Sequence, residues 1–441
     1  MISVNRVFIS HVWDKVVAPS RIRSFKDFYS QALAKIVLST VLSFLTILPG
    51  FARPLTDSVP QQLNAIADAI ARKYVPDKRT DIFNWEVTSS NPVTITVETT
   101  VHEAYNALVT ALQQKNFHIQ IREKNLPADE LGNTIYGLVN LSVSNNRKNP
   151  DNAAELVTQA LLGTPVEVLK KQQGYYLVRT PDRYISWVDN SGVTLMDKQA
   201  MQLWQDAPKV VYTHWYGHAY RQPSADSLPV SDLVAGDILQ LLARAKGYVK
   251  VQFPDKRIAY IRESEIMDFK AWVSRPDPTA EQILAIAKSL NGIPYLWGGT
   301  SIKGVDCSGF TKISYFLNGI ILPRDASQQA LVGQRVDIYE ADTVTLDKCL
   351  KNLRPGDLLF FSQDAKKTKR ITHTAIYMGD GQFIQAAGRV RINSMIPTAP
   401  NYGDYRSRTL VSARRILSSI GAPGISRVFG HPFYTNLSVT K

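Results

Sequence analysis

Cys307 and His373 have the side-chain types of a thiol nucleophile and its proton acceptor. The cysteine lies in Gly304-Val-Asp-Cys-Ser-Gly-Phe310, after the glycine-bearing run Pro294-Tyr-Leu-Trp-Gly-Gly-Thr-Ser301. Only one other cysteine occurs, Cys349, so the chain is no disulfide scaffold, and both thiols are expected free. The imidazole of His373 needs a group to orient it, and Gln385, twelve residues on, offers an amide oxygen.

These groups need elements to bring them together. Phe310, Ile313, Tyr315, Phe316 and Leu317 repeat at helical spacing, and Asp306 is a suitable N-cap, so Cys307 falls in the first turn of a helix. Backbone N–H groups and the positive end of the helix dipole there are expected to favour the thiolate. Asp357–Phe361, Thr372–Met378 and Gln382–Ala386 read as three successive strands, the last two joined by a Gly379-Asp-Gly381 turn. His373 opens the second strand and Gln385 lies on the third. Trp297 reads as a core residue.

Five ordered motifs resemble the NlpC-type papain-like cysteine peptidases of bacterial cell walls. They are Tyr295-Leu-Trp-Gly-Gly, Asp306-Cys-Ser-Gly-Phe310, Pro323-Arg-Asp325, Pro355-Gly-Asp-Leu-Leu-Phe360 and His373-Thr-Ala-Ile-Tyr377. The resemblance implies Cys307 as nucleophile, His373 as base and Gln385 as the orienting group, where the family usually has a second histidine. It also implies that Asp306, Ser308, Asp325 and Ala326 line a pocket around a D-glutamyl unit, with Tyr295 beside the nucleophile. Ala326 departs from the serine often found there.

Ahead of this domain the chain turns to short strands and turns, with an internal repeat. Gly163, Gly174 and Pro181-Asp182 recur at the same spacing as Gly236, Gly247 and Pro254-Asp255. The spacing suggests two small β-barrels, and Tyr175–Val178 with Tyr184–Trp187 resemble bacterial SH3-like domains. In family members similar to dipeptidyl-peptidase VI, a glutamate and a tyrosine of the first such domain wall off the substrate site. The positions matching them are Glu155, implied to bind the free amine of an N-terminal L-alanine, and Tyr184.

The expected fold is multidomain α+β. Residues 1–52 read as a signal peptide and 53–134 as an α/β module in which nothing looks catalytic. SH3-like domains follow at 135–205 and 206–273, then a papain-like domain at 274–420 and a weakly patterned tail at 421–441. The signal rests on basic residues up to Lys35, the apolar run Ile36–Leu48 and the small residues Gly50 and Ala52, so export to the periplasm or outside the cell is expected, with cleavage after Ala52. Within 274–420, Thr279-Ala-Glu-Gln282 is a capping box opening a helix.

The net charge of +13 suits anionic wall polymers. The basic residues are scattered and no nucleic-acid-binding pattern appears, so no nucleic-acid partner is expected. His214 and His218 stand four apart without a third ligand nearby, which reads as a surface pair; no metal and no cofactor is expected. The function implied is hydrolysis of the γ-D-glutamyl–diamino acid bond in murein peptides with a free L-alanine, by a monomer. A non-catalytic wall-binding protein with a decayed peptidase domain, and a thiol amidase or acyltransferase acting on intact wall or lipid, fit the same residues.

Overall fold

In the N-terminal module, helix Val59–Tyr74 presents Leu63, Ala67 and Ile70 to a three-stranded sheet, and helix His102–Gln114 presents Ala104, Leu108 and Leu112. Strand Val93–Thr99 is central, antiparallel to Phe83–Ser90 and parallel to Gln120–Asn125, with Ile95 and Val97 in the shared core. This is a computed structural model. It describes residues 59–435 apart from 91–92, 116, 118, 364–369 and 404–408, and the expected signal segment lies outside the described residues.

The repeat produces two seven-stranded antiparallel sheets. In the first, Pro165–Gln172 and Tyr175–Arg179 form a hairpin through Gln173 and Gly174; in the second, Ile238–Ala245 and Tyr248–Gln252 do so through Lys246 and Gly247. All four turn residues have positive φ, the backbone that matches the right-handed twist of a tight hairpin. The expected barrels are not closed. Among the described residues the first sheet ends in edge strands Val193–Met196 and Leu156–Leu161, the second in Pro229–Val234 and Ile266–Asp268.

One of these edges is covered by the C-terminal domain. Gln159 on Leu156–Leu161 accepts from the Thr300 N–H and the Ser301 hydroxyl through its side-chain oxygen, both at 3.0 Å, and from the Thr300 hydroxyl through its carbonyl at 2.9 Å. An edge strand capped in this way is unavailable for pairing with another chain.

The C-terminal domain is built on a six-stranded sheet ordered Gln334–Arg335, Thr409–Arg415, Leu358–Ser362, His373–Gly379, Gln382–Ala387 and Arg389–Ser394. Helix Cys307–Phe316 buries Phe310, Ile313 and Phe316 against one face, sharing a core with Leu358, Phe360, Ile376 and Ile384. The opposite face carries Leu359, Phe361, Ala375 and Phe383, so the alternation of each strand feeds two cores. The capping box forms as expected: Thr279 N–H donates to Gln282 Oε1 at 2.9 Å and Gln282 N–H to Thr279 Oγ1 at 3.4 Å. The weakly patterned tail is packed rather than loose as far as it is described. Ser426–Arg427 pairs with Ile320–Ile321, and Ile425, Val428 and Tyr434 are buried.

Candidate active site

Cys307 is the first residue of its helix, and Asp306 caps it by accepting from the Gly309 N–H at 2.7 Å. The cap is itself held. Arg324, 1% exposed, donates to Asp306 through Nη1 at 3.1 Å and Nη2 at 2.5 Å, to Ser308 Oγ at 2.9 Å and, through Nε, to Thr158 Oγ1 at 3.0 Å. Gly298 N–H adds a further donor to Asp306 at 3.0 Å. A buried carboxylate and guanidinium, each hydrogen-bonded on several sides, fix the start of the helix and with it the sulfur. Burial works against the Arg324 charge, but the Asp306 carboxylate holds the guanidinium above its ordinary value.

The sulfur meets the start of strand His373–Gly379, where the Thr374 backbone N–H donates to it. One residue earlier, the buried His373 ring places Nε2 2.6 Å from Gln385 Oε1. Gln385 Nε2 donates to Asn393 Oδ1 at 2.9 Å, and Asn393 Nδ2 to the Asn401 carbonyl at 3.1 Å. This chain settles the tautomer by elimination. The carbonyl occupies the Asn393 amide, which aims its oxygen at Gln385, which in turn aims its own oxygen at the ring. An amide oxygen only accepts, so Nε2 carries the proton and Nδ1 keeps the lone pair.

The sulfur is not the preformed thiolate expected from its position in the helix. Burial, then the Asp306 carboxylate, push the Cys307 thiol up to about 11, and the Thr374 N–H, Arg324 and the Ser308 N–H offset only part of that. The physical reason is that Cys307 is only 7% exposed and sits beside the acid that caps its helix. Such a thiol is protonated at neutral pH and needs a base at the moment of attack.

Cys307 opens onto a cavity of about 860 Å³, whose wall also includes Glu155, Tyr184, Tyr295, Asp306, Ser308, Asp325 and Ala326. The fold thus brings all seven of the residues expected around the substrate to one cavity. Tyr184 OH lies 3.4 Å from Asp325 Oδ2; burial and the Asp325 charge hold the phenol protonated. Glu155 accepts from Trp297 Nε1 at 2.8 Å and lies 3.5 Å from Lys148 Nζ.

Three features were missed from the sequence. Trp297 is 61% exposed and belongs to the cavity wall rather than a core. A Cβ at Gly298 would stand 2.4 Å from the Leu156 carbonyl; the turn packs directly on that strand and turns the indole outward toward Glu155. Asn393, which orients Gln385, falls on the polar side of the alternation Arg389-Val-Arg-Ile-Asn393, which reads as facing solvent, whereas the fold buries it. The N-terminal module is not remote from the site either, since Lys78, Arg79, Asp81 and Phe83 line the same cavity. Arg324 did carry a signal, as a charge directly after the apolar stretch Ile320–Pro323.

Two protein-family models match the chain: the NlpC/P60 family over residues 292–415, and the bacterial dipeptidyl-peptidase SH3 domain over residues 146–193. A γ-D-glutamyl-L-lysine dipeptidyl-peptidase of Bacillus cereus is 32% identical over 262 residues, covering 57% of this chain and 73% of that protein. Dipeptidyl-peptidase 6 of Lysinibacillus sphaericus is 28% identical over 279 residues, covering 61% and 95%. The crystal structure of an NlpC/P60 family protein from Bacillus cereus superimposes with a TM-score of 0.53 at 25% identity, over 64% of this chain and 99% of that one.

Proposed function

Because the chain belongs to the NlpC/P60 family of cysteine peptidases, we propose that it hydrolyses the γ-D-glutamyl–diamino acid bond of murein peptides that begin with a free L-alanine. The observation that supports this reading is the convergence of Cys307 with Glu155, Tyr184 and Asp325 on a single cavity. The Glu155 carboxylate, just ahead of strand Leu156–Leu161 and held by Trp297, is suited to an ammonium and gives an acylated or amide-linked terminus only a weaker bond without charge pairing. In this reading the two seven-stranded sheets act as SH3-like domains, the first of which closes one end of the substrate site. The enzyme is exported, in line with the basic and apolar character of residues 1–52.

In the mechanism, the Cys307 sulfur attacks the γ-carbonyl carbon while His373 Nδ1 takes the thiol proton. The C–N bond then breaks as the imidazolium gives that proton to the leaving amine of the diamino acid. Water, with His373 again as base, releases the glutamyl product from the thioester. The Cys307 backbone N–H has no intrahelical acceptor because it stands in the first turn, so it can bind the oxyanion. Gln385 holds the ring through both steps and remains neutral.

The test is mass spectrometry of the full chain incubated with L-Ala-γ-D-Glu-diaminopimelate and with its N-acetylated form. Release of L-Ala-D-Glu from the free peptide, lost in Cys307→Ala and strongly reduced by acetylation, is the expected result. An intact free peptide at every pH refutes the reading and favours a non-catalytic wall-binding protein. Equal turnover of both peptides removes the role given to Glu155 and favours an amidase acting on intact wall.

A further inference from the structure

Residues 75–82, between the first helix and the first strand of the N-terminal module, carry Arg79, which lines the cavity that Cys307 opens onto. Arg79 lies outside both segments matched by the family models. Its own loop sets its direction: Asp77 accepts from the Arg79 backbone N–H at 2.9 Å and from Nε and Nη2 at 2.8 Å each. The remaining terminal nitrogen, Nη1, crosses to the peptidase domain and donates to Asp325 Oδ2 and Ser327 Oγ, both at 2.8 Å. The return contact comes from the peptidase side. Gln328 Nε2 donates to Asp77 Oδ2 at 2.8 Å, while Gln328 Oε1 accepts from the Asp325 N–H at 3.1 Å. Asp77, Arg79, Asp325 and Gln328 therefore close a ring. The guanidinium is committed to acceptors of the protein itself and is a clamp on the cavity wall, not a receptor for a ligand's charge.

The stretch it clamps has little stability of its own. Ala326–Gln329 is a single turn of helix, far below the length at which a helix persists alone. Its far end is tied into the peptidase: Gln329 accepts from Thr311 Oγ1 at 2.7 Å and donates to the Pro323 carbonyl at 2.9 Å. Its near end, Asp325, Ala326 and Ser327, lines the cavity. Among the described residues, the other side chain from outside the peptidase domain that reaches the Asp325 carboxylate is Tyr184, at a longer 3.4 Å. The near end thus takes its position from the modules packed on it, with Arg79 making the shorter and charged contact.

We propose that Arg79 is a positioning residue of the peptidase site: by clamping Asp325 and Ser327 it sets the wall against which substrate lies, which makes the N-terminal module a working part of the catalytic unit. The inference rests on the peptidase reading above. The wall is the same in the ground state and the transition state, so loosening it weakens the binding of both. That loss shows in KM and leaves kcat in place.

The experiment measures kcat and KM of the full chain on L-Ala-γ-D-Glu-diaminopimelate for the unaltered protein, Arg79→Gln, Arg79→Lys and Arg183→Gln. Arg79→Gln should raise KM about three- to tenfold, on the scale of a charge-assisted pair at a partly exposed site, with kcat within about twofold. Arg79→Lys keeps the charge but loses the two-point pair with Asp77, so it should show a smaller rise of the same kind. It also carries the test should Arg79→Gln fail to fold. Arg183→Gln is the control for docking alone: Arg183 Nη2 donates to Asp81 Oδ1 of the same module at 2.9 Å and does not touch the clamped wall. Its KM should stay within about twofold of the unaltered value. KM does not depend on how much of a variant is folded. An unchanged KM in both Arg79 variants, a loss confined to kcat, or an equal rise in Arg183→Gln overturns the inference while leaving the peptidase reading intact. Failure of the unaltered protein to cleave the peptide overturns both.

Discussion

Replacing Gln385 by leucine tests the orienting chain behind the base. The side chain is fully buried and does not face the cavity wall, so the change should act on kcat and leave KM alone. It removes a 2.6 Å hydrogen bond to a ring that becomes cationic during attack. A bond to a charged group is worth about 1.5–3 kcal/mol, which corresponds to a fall in kcat of about 10- to 150-fold. Asn393→Leu removes only the neutral bond that aims Gln385. At about 0.5–1.5 kcal/mol the expected loss is about two- to tenfold. Because Asn393 acts through Gln385, the double variant should be no slower than Gln385→Leu by more than about twofold. Gln385→Glu places a carboxylate next to the imidazolium, so the acid limb of the kcat/KM profile should move to higher pH. The assay is steady-state hydrolysis of the free tripeptide across pH, with thermal melting to confirm that each variant is folded. A Gln385→Leu enzyme within about threefold of the unaltered kcat refutes the reasoning, as do strictly multiplicative effects of the two leucine substitutions.

Iodoacetamide modification of Cys307, followed by peptide mass spectrometry, should accelerate about tenfold per pH unit above neutrality, toward the thiol's value of about 11. A rate already flat near neutral pH would mean a preformed thiolate. The same raised value gives the sign of a stability effect: the folded state keeps its proton longer than the ordinary thiol, so stability should fall as pH rises from about 9 to about 11. Arg324→Leu leaves the Asp306 carboxylate buried without its cation and should destabilise the fold by about 3–5 kcal/mol in urea unfolding. Adding Asp306→Asn should recover part of that loss; no recovery would mean the two groups are not coupled. Trp297→Phe keeps a ring on the cavity wall but removes the N–H that holds Glu155, so KM should rise about three- to tenfold with kcat little changed. A fall in kcat instead would place Trp297 in the chemical step.

What the sequence determined by itself is local. The cap at Asp306, the position of Cys307 in the first turn, the strand bearing His373, the next strand bearing Gln385 and the two-residue hairpins of the repeated sheets all follow from spacing and turn chemistry within a few residues. Five motifs in order were enough for the family. Tertiary structure decided the rest, because the deciding contacts span long stretches of chain: Trp297 to Glu155 across 142 residues, Arg79 to Asp325 across 246. No periodicity encodes such a pairing; it exists only once the modules have packed. The same reason explains the thiol. Its place at a helix start was legible and argued for a low value, whereas burial beside Asp306, which only packing creates, carries it to about 11.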